Sequence, residues 1–148
     1  MGDETSKDYR LVIIGPPGSG KGTTSELIEE KLGIPHVSTG DMLRSHIESG
    51  DELGQRIKDN VEHGKLIPDE ITEEVIKTRL SKEDVSNKFL LDGFPRDVEQ
   101  AHFLLQETDI DGIILVDLDD EAIVKRLSQR RICSDCSEGY HLTFKPPR

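Results

Sequence analysis

The sequence predicts an α/β fold built on a parallel β-sheet. Three observations support this prediction: short apolar runs alternate with segments of helical periodicity, glycine and proline clusters separate them, and the first apolar run enters a glycine-rich loop that opens a helix. Strands of a parallel sheet are buried on both faces and therefore read as continuous apolar runs. The alternation predicts right-handed crossovers and ligand sites at the carboxyl ends of the strands.

The individual elements follow from apolar spacing and from helix stop signals. Strands are predicted over residues 11–14, 34–37, 89–91 and 113–118, and helices over 23–32, 41–49, 51–63, 68–80, 98–107 and 121–131. Gly33, Gly50 and Gly64 stand where helices stop, and Pro68 stands where the next helix can begin.

Composition narrows the class of protein. The 148 residues suit one domain, and 30 acidic against 19 basic residues give a net charge of −11. This balance excludes a nucleic-acid polymer as a partner, and it leaves ordinary solubility and adaptation to high salt equally open. The chain shows no secretory signal and no apolar run of membrane-spanning length, so we expect a cytoplasmic protein that does not bind membranes.

The strongest local signal is the segment G-P-P-G-S-G-K-G-T at residues 15–23, between the first predicted strand and helix. Glycines let backbone N–H groups turn towards a phosphate, the helix N-terminus adds a positive field, and a lysine adds a full charge. A plain glycine-rich turn is the alternative interpretation. The residues expected to bind ATP phosphates are Gly18, Ser19, Gly20, Lys21, Gly22 and Thr23.

Gly22 stands where the general phosphate-binding loop has a serine or threonine that holds Mg²⁺. The form G-x-x-G-x-G-K-G-T is typical of adenylate kinases, and here the sequence first resembles that family. The resemblance implies that Mg²⁺ is held mainly by nucleotide oxygens and waters. Asp92, at the end of a predicted strand, is the carboxylate best placed to orient those waters, although it could simply cap the strand.

Two further motifs resemble the same family: S-T-G-D-M-L-R at residues 38–44 and L-D-G-F-P-R at residues 91–96. The resemblance implies that Arg44 and Arg96 bind the AMP phosphate, and a guanidinium fork suits that task. It also implies that Gln100 reads the adenine edge. The remaining residues assigned to the AMP site are Thr39, Lys65, Leu66, Ile67, Gly93, Phe94 and Pro95.

A third basic cluster closes the predicted helix at 121–131. The resemblance implies that Arg126 lies beside the ATP base and that Arg130 contacts the transferring phosphate; compensation of the helix dipole is the alternative.

Cys133 and Cys136 resemble half of the four-ligand structural zinc site found in some family members. The resemblance further implies that the lid continues past Arg148, so activity and zinc binding of this chain stay open.

Together these features predict a three-layer P-loop kinase core at 1–37 and 68–128, an inserted helical AMP-binding segment at 38–67 and a partial lid at 129–148. The implied reaction is ATP + AMP ⇌ 2 ADP in a monomeric phosphotransferase. The alternatives are a kinase for UMP, CMP or GMP and a nucleotide-binding fragment without activity. The catalytic residues expected are Lys21, Arg44, Asp92, Arg96 and Arg130.

Overall fold

The computed structural model describes residues 8–136 and 138–147. The strands are β1 Arg10–Ile14, β2 His36–Ser38, β3 Phe89–Asp92, β4 Gly112–Leu115, β5 Arg130–Ile132 and β6 Gly139–His141. The helices are α1 Lys21–Leu32, α2 Thr39–Ser49, α3 Glu52–Glu62, α4 Asp69–Leu80, α5 Val98–Glu107 and α6 Asp120–Ser128, with a short 3₁₀ turn at Glu83–Val85.

The first four strands form one parallel sheet in the order β2-β3-β1-β4. Strand β1 is therefore central, and the chain passes from β1 through α1 to the far side of β3 before it returns. The register places Ser38 opposite Asp92 and Ile13 opposite Asp92 on the other side. The carboxyl ends of three strands thus meet at Asp92, where ligands bind in sheets of this kind.

Alternating residues of the central strands pack on opposite faces of the sheet, which gives three layers. Val12 and Leu91 belong to one buried cluster, which includes Ile76 of α4 and Leu104 of α5. Ile13 and Leu90 belong to a cluster on the other face, and Ile28 of α1 packs against it. The predicted α/β class and parallel sheet are confirmed.

A separate helical cluster lies in α2, α3 and α4. Ile57, Ile71 and Val75 form its buried centre, and Met42 packs both against it and against the cluster beneath the sheet. The two helices α2 and α3 approach closely at Gly54, where a Cβ atom would lie 1.9 Å from the backbone oxygen of His46. Only glycine fits this contact without displacing backbone.

The last predicted helix differs from the observed structure. It ends at Ser128 rather than at residue 131, and the chain turns at Gln129 into β5, which pairs with β6 in an antiparallel hairpin. The backbone N–H of Leu142 donates to the Gln129 carbonyl at 3.0 Å, so pairing with a distant segment replaces the next helical turn. The strand predicted at 113–118 is likewise shorter and ends at Leu115.

In the part of the chain that the structure describes, no helix has the length and apolar character needed to cross a membrane.

Candidate active site

The phosphate-binding loop connects β1 to α1, as the sequence predicts. Gly20 precedes α1 with φ 89°, a left-handed conformation that favours glycine, and it provides no side chain to cap the helix. The first N–H groups of α1 are therefore not covered by a capping side chain, which leaves them available to an anion. The Ser19 backbone N–H closes the loop by donating to the Pro16 carbonyl at 3.1 Å.

Lys21, the first residue of α1, points to the end of β3. Its Nζ atom lies 2.7 Å from Asp92 Oδ1, while His36 Nε2 lies 2.9 Å from Asp92 Oδ2. The Asp92 side chain is 11% exposed, so it is held between two basic partners in a largely buried position. The sequence predicted Lys21 and Asp92 as site residues, and the structure brings them into contact.

These contacts set the charge of the cluster. Burial favours the neutral form of Asp92, but hydrogen bonds from His36 and Lys21 outweigh it and lower the pKa of the carboxyl group. The hydrogen bond to Asp92 raises the pKa of His36 above its usual value, against the opposing effect of burial. An ionised Asp92 between cationic neighbours is the arrangement that these shifts favour.

The backbone at the end of β3 leads directly to the second group of predicted residues. The Thr39 hydroxyl donates to the Asp92 carbonyl oxygen at 3.1 Å, and Arg96 Nε donates to the Gly93 carbonyl oxygen at 2.9 Å. A Cβ atom at Gly93 would lie 3.5 Å from Thr39 Oγ1 and 3.8 Å from Arg96 Nη2. Thr39, Gly93 and Arg96 therefore converge next to Asp92.

Gln100 is buried beneath this group, on the first turn of α5. Its Oε1 atom accepts a hydrogen bond from the Arg96 backbone N–H at 2.8 Å, and its Nε2 atom donates to Asp69 Oδ1 at 3.0 Å. Between Gly93 and Arg96 the chain contains a cis peptide bond at Phe94–Pro95. Phe94 is buried and packs edge-to-face on Phe103, with 6.2 Å between ring centroids, which anchors the loop to the core.

The other AMP-site candidates lie on the helical segment. Arg44 is exposed and paired with Asp41 in the first half of α2, and its Nη1 atom lies 3.3 Å from where a Cβ of Gly40 would stand. The remaining three candidates occupy the connection between α3 and α4, and they are Lys65, Leu66 and Ile67. Leu66 is 93% exposed, whereas Ile67 packs on the helical cluster.

The third basic cluster is divided by the end of α6. Arg126 Nη1 lies 3.3 Å from where a Cβ of Gly20 would stand, so this guanidinium borders the phosphate-binding loop. Arg130 is on β5 opposite His141, not on the helix where the sequence placed it. Arg126 therefore lies on α6 and borders the loop, whereas Arg130 lies on the β5–β6 hairpin.

Cys133 and Cys136 lie at the tip of the β5–β6 hairpin. Hydrogen bonds from the backbone N–H groups of Cys136 and Asp135 lower the pKa of the Cys133 thiol, and metal binding requires the thiolate. Within residues 8–136 and 138–147, however, no three His, Cys, Asp or Glu side chains gather as a metal site. The described residues therefore do not complete a tetrahedral zinc site.

Sequence reasoning missed two residues that hold the site together. His36 precedes the 38–44 motif and contacts Asp92, while Asp69 follows Pro68 and contacts Gln100. Both are charged or titratable residues that directly adjoin recognised segments, and that position is the signal that could have found them.

Comparison with known proteins agrees with the geometry. Residues 13–143 match the family model described as adenylate kinase. An adenylate kinase from Clostridium botulinum (strain Langeland) is 44% identical over 144 residues, which cover 94% of this chain and 67% of that relative. An adenylate kinase from Caldicellulosiruptor bescii is 46% identical over the same shares, and one from Clostridium tetani is 46% identical over 93% of this chain and 66% of the relative. The chain belongs to the adenylate kinase family.

Proposed function

We propose that this chain catalyses the reversible transfer of the γ-phosphoryl group of ATP to AMP, which yields two ADP. Family membership supports the reaction, and one structural observation carries the proposal for how the site works. The Asp92 side chain contacts Lys21 of the phosphate-binding loop, while the Asp92 backbone carbonyl contacts Thr39 of the second motif. Nucleotides in the two halves would therefore approach each other at the carboxyl end of β3.

The ATP half consists of the loop at 15–23, with Arg126 beside Gly20. We propose that the loop N–H groups and Lys21 bind the phosphates and that Arg126 borders the nucleotide. ATP enters as its Mg²⁺ complex, and Asp92 would orient the water ligands of that ion. Magnesium neutralises charge on the phosphates when bound.

The AMP half consists of Thr39, Gly93, Arg96 and Gln100, with Arg44 on the neighbouring turn of α2. Arg96 keeps its guanidinium at the Gly93 carbonyl, next to the end of the phosphate-binding half. We propose that Arg44 exchanges Asp41 for the AMP phosphate and that Arg96 binds the same phosphate from the other side. The stretch from Lys65 to Ile67, with Phe94 and Pro95, would line the nucleoside pocket.

The chemistry needs alignment more than proton transfer. The AMP phosphate oxygen is already anionic at neutral pH, so it attacks the γ-phosphorus of ATP without a general base while the bond to the β-phosphate oxygen breaks. Lys21, Arg44, Arg96 and Arg130 would supply positive charge to the transferring group. When Lys21 turns to the phosphates, Asp92 would keep its hydrogen bond to His36, which lowers the pKa of Asp92.

We propose three parts for the chain: a core at 1–37 and 68–128, an AMP-binding segment at 38–67 and a lid portion at 129–148. The close packing of α2 on α3 at Gly54 supports the second part, and the antiparallel hairpin of β5 and β6 supports the third. Movement of both parts over the nucleotides would exclude water, which otherwise competes as the phosphoryl acceptor. Cys133 and Cys136 would supply two of the four ligands of a structural zinc site, and the described residues do not gather the other two.

A monomeric, cytoplasmic enzyme completes the proposal. The proposed reaction assigns no role to a residue of a second copy, so a monomer is sufficient for it. The net charge of −11 supports small nucleotides rather than a nucleic-acid polymer as partners.

The test is ADP formation by the 148-residue chain from ATP and each of AMP, CMP, UMP and GMP. We expect AMP to be preferred. A wrong base would leave the buried amide of Gln100 without a hydrogen-bond partner, which costs roughly 1–3 kcal/mol. Equal turnover with CMP would contradict the assignment to AMP. A chain that gains thermal stability from ATP yet forms no ADP would instead be a nucleotide-binding module without activity.

A further inference from the structure

The carboxamide of Gln100 is fixed at both ends by groups of opposite hydrogen-bonding character. The Arg96 backbone N–H can only donate, and it contacts Oε1 at 2.8 Å. The Asp69 carboxylate can only accept when ionised, and it contacts Nε2 at 3.0 Å. Gln100 is 6% exposed, so solvent cannot replace either partner freely.

Rotation of the amide by 180° would break both contacts at once. Nε2 would then face the Arg96 N–H, which is also a donor, and Oε1 would face the Asp69 carboxylate, which is also an acceptor. Two buried mismatches make the inverted orientation unfavourable. The chain itself therefore decides which end of the amide is the oxygen.

The contacts with Arg96 and Asp69 each use half of the hydrogen-bonding capacity at one end of the amide. Oε1 keeps a second lone pair and Nε2 keeps a second N–H, so the group can still form one accepting and one donating hydrogen bond to a ligand. A purine with an amino group at C6 offers a donor beside the ring acceptor N1. A purine with an oxo group at C6 offers the reverse, an acceptor beside N1–H.

We propose that Asp69 is a specificity-determining positioning residue that makes the acceptor site select 6-amino over 6-oxo purine nucleotides. It acts through Gln100, whose amide it holds in the orientation that complements the amino pattern. The inference rests on the proposed function, in which Gln100 hydrogen-bonds the acceptor base. It adds the residue that fixes the orientation of the Gln100 amide.

Asp69 also lies in the first turn of α4, where an acidic side chain stabilises the helix N-terminus. Glu70 occupies the same turn and therefore provides a matched control, because Glu70→Gln removes the same charge from the same helix end. A role limited to helix stability predicts equal effects of the two substitutions. A role in orienting Gln100 predicts a change of base selectivity for Asp69 alone.

The experiment measures dissociation constants for AMP and IMP by calorimetry, since these nucleotides differ only in the C6 group and the N1 proton. Asp69→Asn keeps the shape of the side chain but lets it donate or accept, so this end of the Gln100 amide finds a partner in either orientation and only the Arg96 N–H still opposes inversion. We expect the AMP-to-IMP affinity ratio to fall about five- to tenfold in Asp69→Asn, as one lost orienting bond allows. Glu70→Gln should keep the ratio of the unaltered chain.

Two further measurements separate the possible failures. Gln100→Leu removes the reader itself and should abolish the preference for AMP. A ratio that falls in Gln100→Leu but not in Asp69→Asn would overturn the role of Asp69 while leaving the proposed acceptor site intact. An unaltered chain that shows no preference for AMP over IMP would overturn the proposed reading by Gln100, and the inference with it. Circular dichroism of each variant establishes that it is folded.

Discussion

Lys21 and Asp92 form an ion pair, with 2.7 Å between Nζ and Oδ1, that joins the first residue of α1 to the last residue of β3. The pair links the phosphate-binding loop to the strand end beside which the proposed AMP half begins. Since Asp92 also contacts His36, it keeps a partner when the lysine moves. Asp92 can therefore lose its contact with Lys21 without becoming an unpaired buried charge, because the contact with His36 remains.

Lys21→Met tests the role of this ammonium group. The substitution keeps much of the volume but removes the charge, so we expect phosphoryl transfer to fall by about 10²- to 10³-fold, as when a group that stabilises developing charge is removed. Lys31→Met, at the far end of α1, is the matched control and should retain activity. Both are measured by ADP formation at equal folded concentration. Unchanged turnover in Lys21→Met would contradict the assigned role.

The pH dependence of stability tests the contact between His36 and Asp92. Because the folded pKa of His36 is raised, its charged contact stabilises fully below the unfolded value of 6.5 and is lost as pH rises through the folded pKa. Because the pKa of Asp92 is lowered, its contribution is present above the unfolded value of 3.8 and is lost as pH falls through the folded pKa.

His36→Leu should therefore destabilise the chain most when Asp92 is ionised and His36 is protonated, by about 1.5–3 kcal/mol as expected for a hydrogen bond between charged groups. The difference from the unaltered chain should shrink in alkaline buffer. Urea unfolding in mildly acidic and in alkaline buffer measures it, and His102→Leu, at an exposed histidine of α5, is the control. A difference that does not vary with pH would show that the histidine contributes through packing alone.

Gly54→Ala tests the close approach of α2 and α3. Alanine favours helices by about 1 kcal/mol over glycine. At this position, however, the Cβ would overlap the His46 backbone oxygen at 1.9 Å, which no rotation of a side chain can relieve. We expect a net loss of roughly 1–3 kcal/mol in the free energy of unfolding.

Gly22→Ala is the matched helical control for this loss. Among the described residues outside its own helix turn, no atom lies within 4 Å of a Cβ placed there. Its stability should rise or stay unchanged in the same denaturant titration. Equal stability of the two variants would show that α2 and α3 separate easily.

Metal removal tests the hairpin. The two thiols supply only half of the ligands of a tetrahedral zinc site, so we expect weak binding of zinc to the folded chain. Zinc stabilises a fold only to the extent that it binds the folded state. We expect the unfolding midpoint of the 148-residue chain to be the same in zinc chloride and in a chelator. A midpoint raised by zinc in the unaltered chain but not in Cys133→Ser would show that further ligands complete the site.

Much of the architecture could be predicted because its signals are local. The apolar runs at β1 and β3 and the glycine-rich loop between β1 and α1 depend on neighbouring residues, and family membership agrees with the motifs. The end of α6 could not be predicted in this way. Residues 129–132 are compatible with a helix locally, but the pairing of β5 with β6 decides their structure.

Side-chain partners were equally inaccessible from the sequence. Residues His36 and Asp92 are 56 positions apart, and Gln100 and Asp69 are 31 apart. Such pairs form only after the strands and helices assemble, and no local pattern states which polar residue will face which. The motifs therefore identify the side chains that the proposal assigns to the nucleotides, while the partners that orient those side chains required the structure.

Met42 connects the two hydrophobic clusters that meet at α2. This side chain packs against the cluster beneath the sheet and against the helical cluster of α2, α3 and α4. An unbranched thioether has several rotatable bonds and can follow a shifting neighbour without leaving a void. Val75 and Ile76 of α4 belong to different clusters and hold that helix in both, so the freedom that Met42 provides lies with α2, which can shift slightly against α4 without opening a cavity.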